Sequence, residues 1–307
     1  MKIVFRVDAS IITGVGHLSR CLTLANIFKS RGYETNFISR NLLCDAQEKI
    51  ISNNHKLFLL KDSDISIQKN NDDYEKWLGL TEGQDAQETV EIVKNINDAD
   101  WLIVDHYGIG KTWHNKLRDH ARKIFVIDDL GDRSIDCDLL LNQTHKFDTE
   151  IYNNLAPKNM KKLIGSKYIL LRDEFFKLRP KAIQKRKNNL NINNILIFFG
   201  SVDNSNLIPN ILDTLAEMQF TNSLSIKVVI GRDSPNINQI EQKIHDYIFN
   251  CEMIVNAENM AELILDADIA IAAGGMNSWE RCCLGLPTLI KKSAENQSEN
   301  VTSLEKS

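Results

Sequence analysis

A chain of 307 residues is longer than one hydrophobic core comfortably serves and suits two α/β domains of roughly 150 residues each. Its 43% hydrophobic and 25% charged residues are those of an ordinary globular protein, and a net charge of −4 offers no general attraction to nucleic acid or to anionic lipid. Any phosphate binding therefore has to come from local features, such as backbone N–H groups and helix ends.

The six cysteines (Cys21, Cys44, Cys137, Cys251, Cys282 and Cys283) include no CxxC pair and read as small buried hydrophobes in a reducing compartment. The opening M-K-I-V-F-R-V-D-A-S has too short an apolar run for a signal peptide, broken by Arg6 and Asp8, and no stretch reaches the length of a membrane span. The expected location is the cytoplasm, with neither nucleic acid nor membrane as partner. The oligomeric state is not readable.

Short apolar runs alternate with longer amphipathic stretches in chain order. Ile3–Val7 reads as a strand, and His17–Arg31 as a helix with Leu18, Cys21, Leu22, Leu24, Ala25 and Phe28 at helical spacing, stopped by Gly32. Glu34–Ile38, Trp101–Asp105, Lys123–Ile127 and Asp138–Leu141 are further strands, apolar without alternation, as suits a parallel sheet covered on both faces. Residues 61–88 are polar, with one aromatic pair, Tyr74 and Trp77, and read as a long surface excursion or a lid.

The rhythm breaks over 172–194. The stretch 177–193, crowded with Lys and Arg, containing Pro180 and ending in an Asn-rich run, is read as a solvated interdomain linker, in part helical. The rhythm then restarts with strand Ile195–Phe199, helix Leu207–Met218, strand Ile226–Ile230 and a strand near Met253–Val255. Helix Met260–Leu265, strand Asp268–Ala272, helix Ser278–Leu284 and a strand near Pro287–Ile290 follow. The domains are thus 1–176 and 194–307, two Rossmann-like halves of an α/β fold whose sheets face an interdomain cleft. The chain stops at Ser307 with no recognisable helix after A-E-N-Q, so the second domain is expected to lack its terminal helices.

Three strand ends carry chemistry. The first runs into D-A-S-I-I-T-G-V-G-H, where Gly14 and Gly16 permit a tight turn and the new helix offers N–H groups to an anion. Ser19 stands where the dinucleotide fingerprint needs its third glycine, so no nicotinamide cofactor is expected. His17 sits at the positive end of that helix, which opposes its protonation and suits a base; a ring that merely caps the turn or contacts sugar is the alternative. The second site is G-G-M-N-S-W-E, where Gly274 and Gly275 allow close approach, Asn277 or Ser278 caps a helix, and Glu280 lies where a carboxylate reaches ribose hydroxyls. The third is D-H-Y-G, presenting Asp105, His106 and Tyr107, with Asp128 and Asp129 ending the next strand. No HxH or HExxH spacing exists, so no metal is expected. With no nucleophile elbow and no P-loop, attack by water on a good leaving group is the simplest chemistry.

In order over nearly the whole chain run F-R-V-D-A-S, G-V-G-H-L-S-R-C-L-T-L-A, V-D-H-Y-G, I-D-D-L-G-D-R, C-D-L-L-L-N-Q, Y-I-L-L-R-D-E-F, F-F-G-S-V-D, A-A-G-G-M-N-S-W-E and A-E-N-Q. This set resembles the PseG family, the UDP-2,4-diacetamido-2,4,6-trideoxy-β-L-altropyranose hydrolases of pseudaminic acid biosynthesis. The resemblance implies a GT-B-like fold related to MurG, with uridine held by the C-terminal domain. It also implies an inverting, metal-independent hydrolysis without cofactor, with His17 as general base. Gly16, Asp105, His106 and Tyr107 would shape the sugar side. Gly274, Gly275, Asn277, Ser278 and Glu280 would hold UDP, and Asn296 and Gln297 would reach sugar or phosphate. The chain departs from the family at Gly200–Ser201, where paired glycines are usual. A UDP-sugar glycosyltransferase of the same fold and a UDP-sugar-binding homologue without turnover are the competing readings.

Overall fold

Continuous apolar runs become strands covered on both sides. The structure, a computed structural model, describes residues 1–10, 13–61, 74–189, 191–200, 203, 206–218, 224–232, 234–247, 249–291 and 298–305. The first sheet is formed by β1 (Lys2–Val7), β2 (Glu34–Ser39), β3 (Lys56–Leu59), β4 (Ala99–Asp105), β5 (Ala121–Ile127), β6 (Leu139–Asn142) and β7 (Lys161–Ile164). Its helices are α1 (Gly16–Ser30), α2 (Cys44–Ser52), α3 (Glu82–Asn95), α4 (Lys111–Leu117) and α5 (Tyr152–Leu155). The strands pair in parallel in the order β3-β2-β1-β4-β5-β6-β7. Alternate residues face opposite ways, and both faces are apolar. Val4, Ile38, Leu102, Val104, Ile124 and Val126 enter one core, and Ile3, Phe5, Phe37, Ile103, Phe125 and Ile127 the other.

The second sheet repeats the plan with β8 (Asn194–Phe198), β9 (Ser225–Ile230), β10 (Asn250–Val255), β11 (Ile269–Ala273) and β12 (Thr288–Lys291), in the parallel order β10-β9-β8-β11-β12. Its helices are α6 (Asp173–Asn188), α7 (Leu207–Glu217), α8 (Ile237–Lys243), α9 (Met260–Asp266) and α10 (Asn277–Cys283), and α11 (Ser298–Glu305) closes the described chain. In both sheets the strand order reverses direction once, between β1 and β4 and between β8 and β11. Loops leaving the carboxyl ends of such a strand pair diverge and leave room for a ligand. Among the described residues no helix is long and apolar enough to cross a membrane.

Contacts divide the chain into Met1–Leu170 with Thr302–Ser307, and Leu171–Val301. The stretch expected to be a partly helical linker is helical over 177–188, where it belongs to α6, which packs within the second unit through buried Phe175 and Ala182. Its basic residues act locally. Lys185 Nζ donates to the carbonyls of Leu265 at 3.1 Å and Asp266 at 2.5 Å, and Arg186 Nη2 to that of Ile264 at 2.7 Å, closing the C-terminal end of α9. Arg179 donates to the Cys283 carbonyl at the end of α10. A charge run that looked solvated is thus a set of donors aimed at orphan carbonyls.

The end of the polar excursion is also built in. Tyr74–Leu78 forms a 3-10 turn that buries Trp77 and Leu78, and Thr81 with Gln84 makes a capping box that starts α3. Residues 62–73 of that excursion lie outside the described residues. A helix, α11, does follow A-E-N-Q, where none was recognisable in the sequence.

Truncating the anchor of α6 tests its place in the core. Phe175→Ala should destabilise the second unit by about 3–5 kcal/mol, seen as a lower urea midpoint. A side chain on a solvated linker would leave that midpoint unchanged.

Candidate active site

The strand-order reversal of the first sheet places the loop after β1 beside the loop after β4. Val7 pairs with Asp105 in register, so the start of α1 and the D-H-Y-G segment are neighbours. The β1–α1 loop turns through Gly14 at φ +68°, with the Gly14 N–H donating to the Ser10 carbonyl at 2.8 Å. Gly16 then opens α1 and His17 is its second residue. The ring is only 8% exposed. Its Nδ1 lies 2.6 Å from Asp105 Oδ1, and the edge of Tyr107 packs on it at 4.6 Å between centroids.

Arg20, one turn further along α1, grips the same carboxylate with Nε at 2.6 Å and Nη2 at 2.7 Å, and reaches Asp129 Oδ2 with Nη1 at 2.5 Å. The Tyr107 hydroxyl donates to that Asp129 oxygen at 3.0 Å. Burial works against a charged Asp105, yet the Arg20 guanidinium and His17 beside it hold the carboxyl well below the usual carboxylate range. Burial, with Asp129 adding to it, pushes the Tyr107 phenol far up, so it stays a donor.

Two of the residues expected on the sugar side, Asp105 and His106, are buried. Asp105 is 1% exposed, and its oxygens are taken by His17, Arg20 and the Cys21 thiol. His106 turns inward: its Nδ1 accepts from the Gly108 N–H at 3.1 Å, and its Nε2 stands 3.4 Å from Asp8. Burial depresses its basicity. Gly108 is required sterically, because a Cβ there would run into the Tyr74 carbonyl. That close approach seats Tyr74 and Trp77 against Tyr107.

Beneath this layer lies a charge network that the sequence reading missed. Arg6 binds Asp8 at 2.7 Å and Asp85 at 2.7 Å; Arg40 binds Asp85 at 3.0 Å and Glu88 at 2.8 Å. Trp113 Nε1 donates to Asp85 at 2.9 Å. Burial opposes the charge on Asp85, but Arg6 outweighs it and the carboxyl is lowered. Arg6 inside an apolar strand and Asp8 just past its end were the available signal, since lone buried charges have to find partners.

In the second unit the strand-order reversal brings together the loops after β8 and β11. Gly200 ends the first at φ +94°, and Ser201 lies outside the described residues. Gly274 and Gly275 make the β11–α10 turn. The capping expectation is corrected: Met276 is the N-cap, and Asn277 and Ser278 are the first residues of α10. Ser278 is buried, its Oγ accepting from Arg281 Nη2 at 3.1 Å. Glu280 is partly covered and lies 3.7 Å from Arg172; burial pushes its carboxyl up to about 7, against the pull of Arg172. Asn296 and Gln297 lie outside the described residues.

With this geometry in place, the relatives can be set beside it. No family model matches the chain. An uncharacterised protein of Methanocaldococcus jannaschii is 27% identical over 305 residues, 97% of this chain, which spans 57% of that protein's length. The UDP-2,4-diacetamido-2,4,6-trideoxy-β-L-altropyranose hydrolase of Campylobacter jejuni is 22% identical over 271 residues, 87% of this chain and 83% of its own. The chain is a distant relative of a UDP-sugar hydrolase. Among solved structures, MurG of Acinetobacter baumannii superposes with a TM-score of 0.63 at 13% identity, covering 100% of this chain and 84% of MurG. The fold is therefore α/β of the GT-B type, with two Rossmann-like parallel sheets.

The buried network yields a stability prediction. Asp85→Asn removes a charge shared by two buried guanidinium groups and should cost about 3–5 kcal/mol at neutral pH, measured by urea unfolding. Because the folded carboxyl is lowered, its contribution is present above the unfolded value of about 4 and is lost as pH falls through the folded one. The gap between wild type and variant should therefore narrow only below about pH 4.

Proposed function

We propose that the protein hydrolyses UDP-2,4-diacetamido-2,4,6-trideoxy-β-L-altropyranose, with inversion and without a metal, as a step of pseudaminic acid biosynthesis in the cytoplasm. The observation that carries this reading is the setting of His17: a nearly covered imidazole on the first turn of α1, at the strand-order reversal of the first sheet, held by a carboxylate. The ordered motifs and the distant hydrolase relative support the same reading.

In this mechanism the imidazole of His17 takes a proton from water as the water oxygen attacks the anomeric carbon. The bond from that carbon to the diphosphate oxygen breaks, and UDP leaves with the electron pair. Such a base contributes roughly 10²–10⁴-fold, and orientation with stabilisation of the departing charge supplies the rest. Gly16 and Tyr107 serve the sugar, with Asn296 and Gln297 assigned to sugar or phosphate by the resemblance. Gly274 and Gly275 let the backbone approach the diphosphate, Asn277 and Ser278 hold UDP from the start of α10, and Glu280 accepts from the ribose hydroxyls.

Incubation with the UDP-sugar alone tests the reaction class. Hydrolysis releases UDP and the inverted free sugar without any acceptor, followed by NMR; a glycosyltransferase would release UDP only with an acceptor, and an inactive relative would bind without release. His17→Ala and His17→Gln should each lower kcat by roughly 10²–10⁴-fold while UDP still binds. Normal turnover in both would remove His17 from the role of base.

Glu280→Ala should weaken UDP binding by about 10–100-fold, the value of hydrogen bonds to a charged acceptor, measured by calorimetry. With the free carboxyl pushed up to about 7, UDP affinity should also rise with pH through that region in the wild type and not in the variant. Equal affinity of the two proteins would reject the ribose role.

A further inference from the structure

The setting of His17 contains more charge than a single base requires. Asp105 Oδ1 meets His17 Nδ1 at 2.6 Å and Arg20 Nη2 at 2.7 Å, while Oδ2 takes Arg20 Nε at 2.6 Å and the Cys21 thiol at 3.5 Å. An ionised carboxylate only accepts hydrogen bonds, so the proton on the short contact to His17 belongs to the imidazole. Arg20 Nη2 also stands 3.4 Å from His17 Nδ1, and a donor from that side would favour the opposite tautomer. The contact to Asp105 is far shorter, and the Arg20 group is already committed to the carboxylate, so Asp105 decides.

Other described residues also stand around the ring. Tyr107 presents its ring edge and turns its hydroxyl to Asp129, and Trp77 stands edge-on at 6.3 Å. Asp129 is linked to the ring through Arg20 and Tyr107. The start of α1 adds a partial positive charge.

We propose that Asp105 and Arg20 form one clamp on His17, in which Asp105 fixes the Nδ1–H tautomer and leaves Nε2 as the proton acceptor, while Arg20 holds the carboxylate and offsets its charge. Both are positioning residues: they touch the imidazole, not the substrate. An unbalanced carboxylate would hold the ring as imidazolium, unable to take a proton from water; an unbalanced guanidinium would make protonation in the transition state more costly. Together they orient the ring. This deepens the hydrolase reading and rests on it for the turnover measurement alone.

The test reads the ring itself. In ¹⁵N-histidine-labelled protein without substrate, His17 above its titration should show a protonated-type Nδ1 and an unprotonated-type Nε2. Asp105→Asn, whose amide can donate to Nδ1, should shift the population towards Nε2–H and lower kcat by roughly 10²-fold or more with little change in KM. Arg20→Gln should make the ring easier to protonate, moving both its NMR titration and the acid limb of the kcat profile to higher pH, and Arg20→Lys should restore part of the wild-type behaviour. An Nε2–H tautomer in the wild type overturns the clamp, as does an unchanged tautomer in Asp105→Asn. The wild-type spectrum needs no variant, so it decides even if Asp105→Asn does not fold. The expected tautomer without UDP-sugar turnover would support the clamp and defeat the hydrolase reading.

Discussion

The Asp105 carboxylate is the interaction on which the first unit's candidate site depends. A strand in the middle of a parallel sheet buries both faces, so a charge at its carboxyl end loses water and has to be compensated by protein. At Asp105 the compensation comes from one face of α1, through His17 and Arg20 three residues apart. That requirement fixes the rotation of α1 about its axis, and with it the direction of the imidazole. Arg20 then carries the constraint outward to Asp129 and from there to the Tyr107 hydroxyl, tying together the loops after β1, β4 and β5.

The two units solve similar topology with different chemistry. In the first, nearly every polar group at the strand-order reversal is matched by another, and the deeper layer of Arg6, Asp8, Arg40 and Asp85 repeats the pattern. In the second, Arg281 is buried, and among the described residues its Nε and Nη1, like Asn277 Oδ1, have no hydrogen-bond partner. Loss of solvation lowers that guanidinium to about 10.

The parts legible in the sequence were those governed by local pattern. Ile3–Val7, Trp101–Asp105 and Ile226–Ile230 read as strands because unbroken apolar runs match strands buried on both faces, and they lie within β1, β4 and β9. The place of His17 at the start of α1 was legible, because a glycine-rich turn there runs into an amphipathic helix. What escaped depends on partners far along the chain. Asp105 and His106 stood at the right strand end, but whether they face a ligand or the interior is decided by Arg20 and Asp8. The start of α3 was hidden by polar composition, although the Thr81–Gln84 box marked it. Asp85, most important among its buried residues, is joined to residues 79 and 45 positions away.

The course of α6 has a consequence for anyone dividing this protein. The basic, proline-containing stretch invites a cut, yet Phe175 fills the hollow under α9, and Gly285 lies so close to Ile183 that a methyl group would not fit between them. A fragment beginning near residue 194 would expose that hollow as a greasy scar and strip the donors from two helix ends. The natural seam lies before the helix, at Leu170–Leu171.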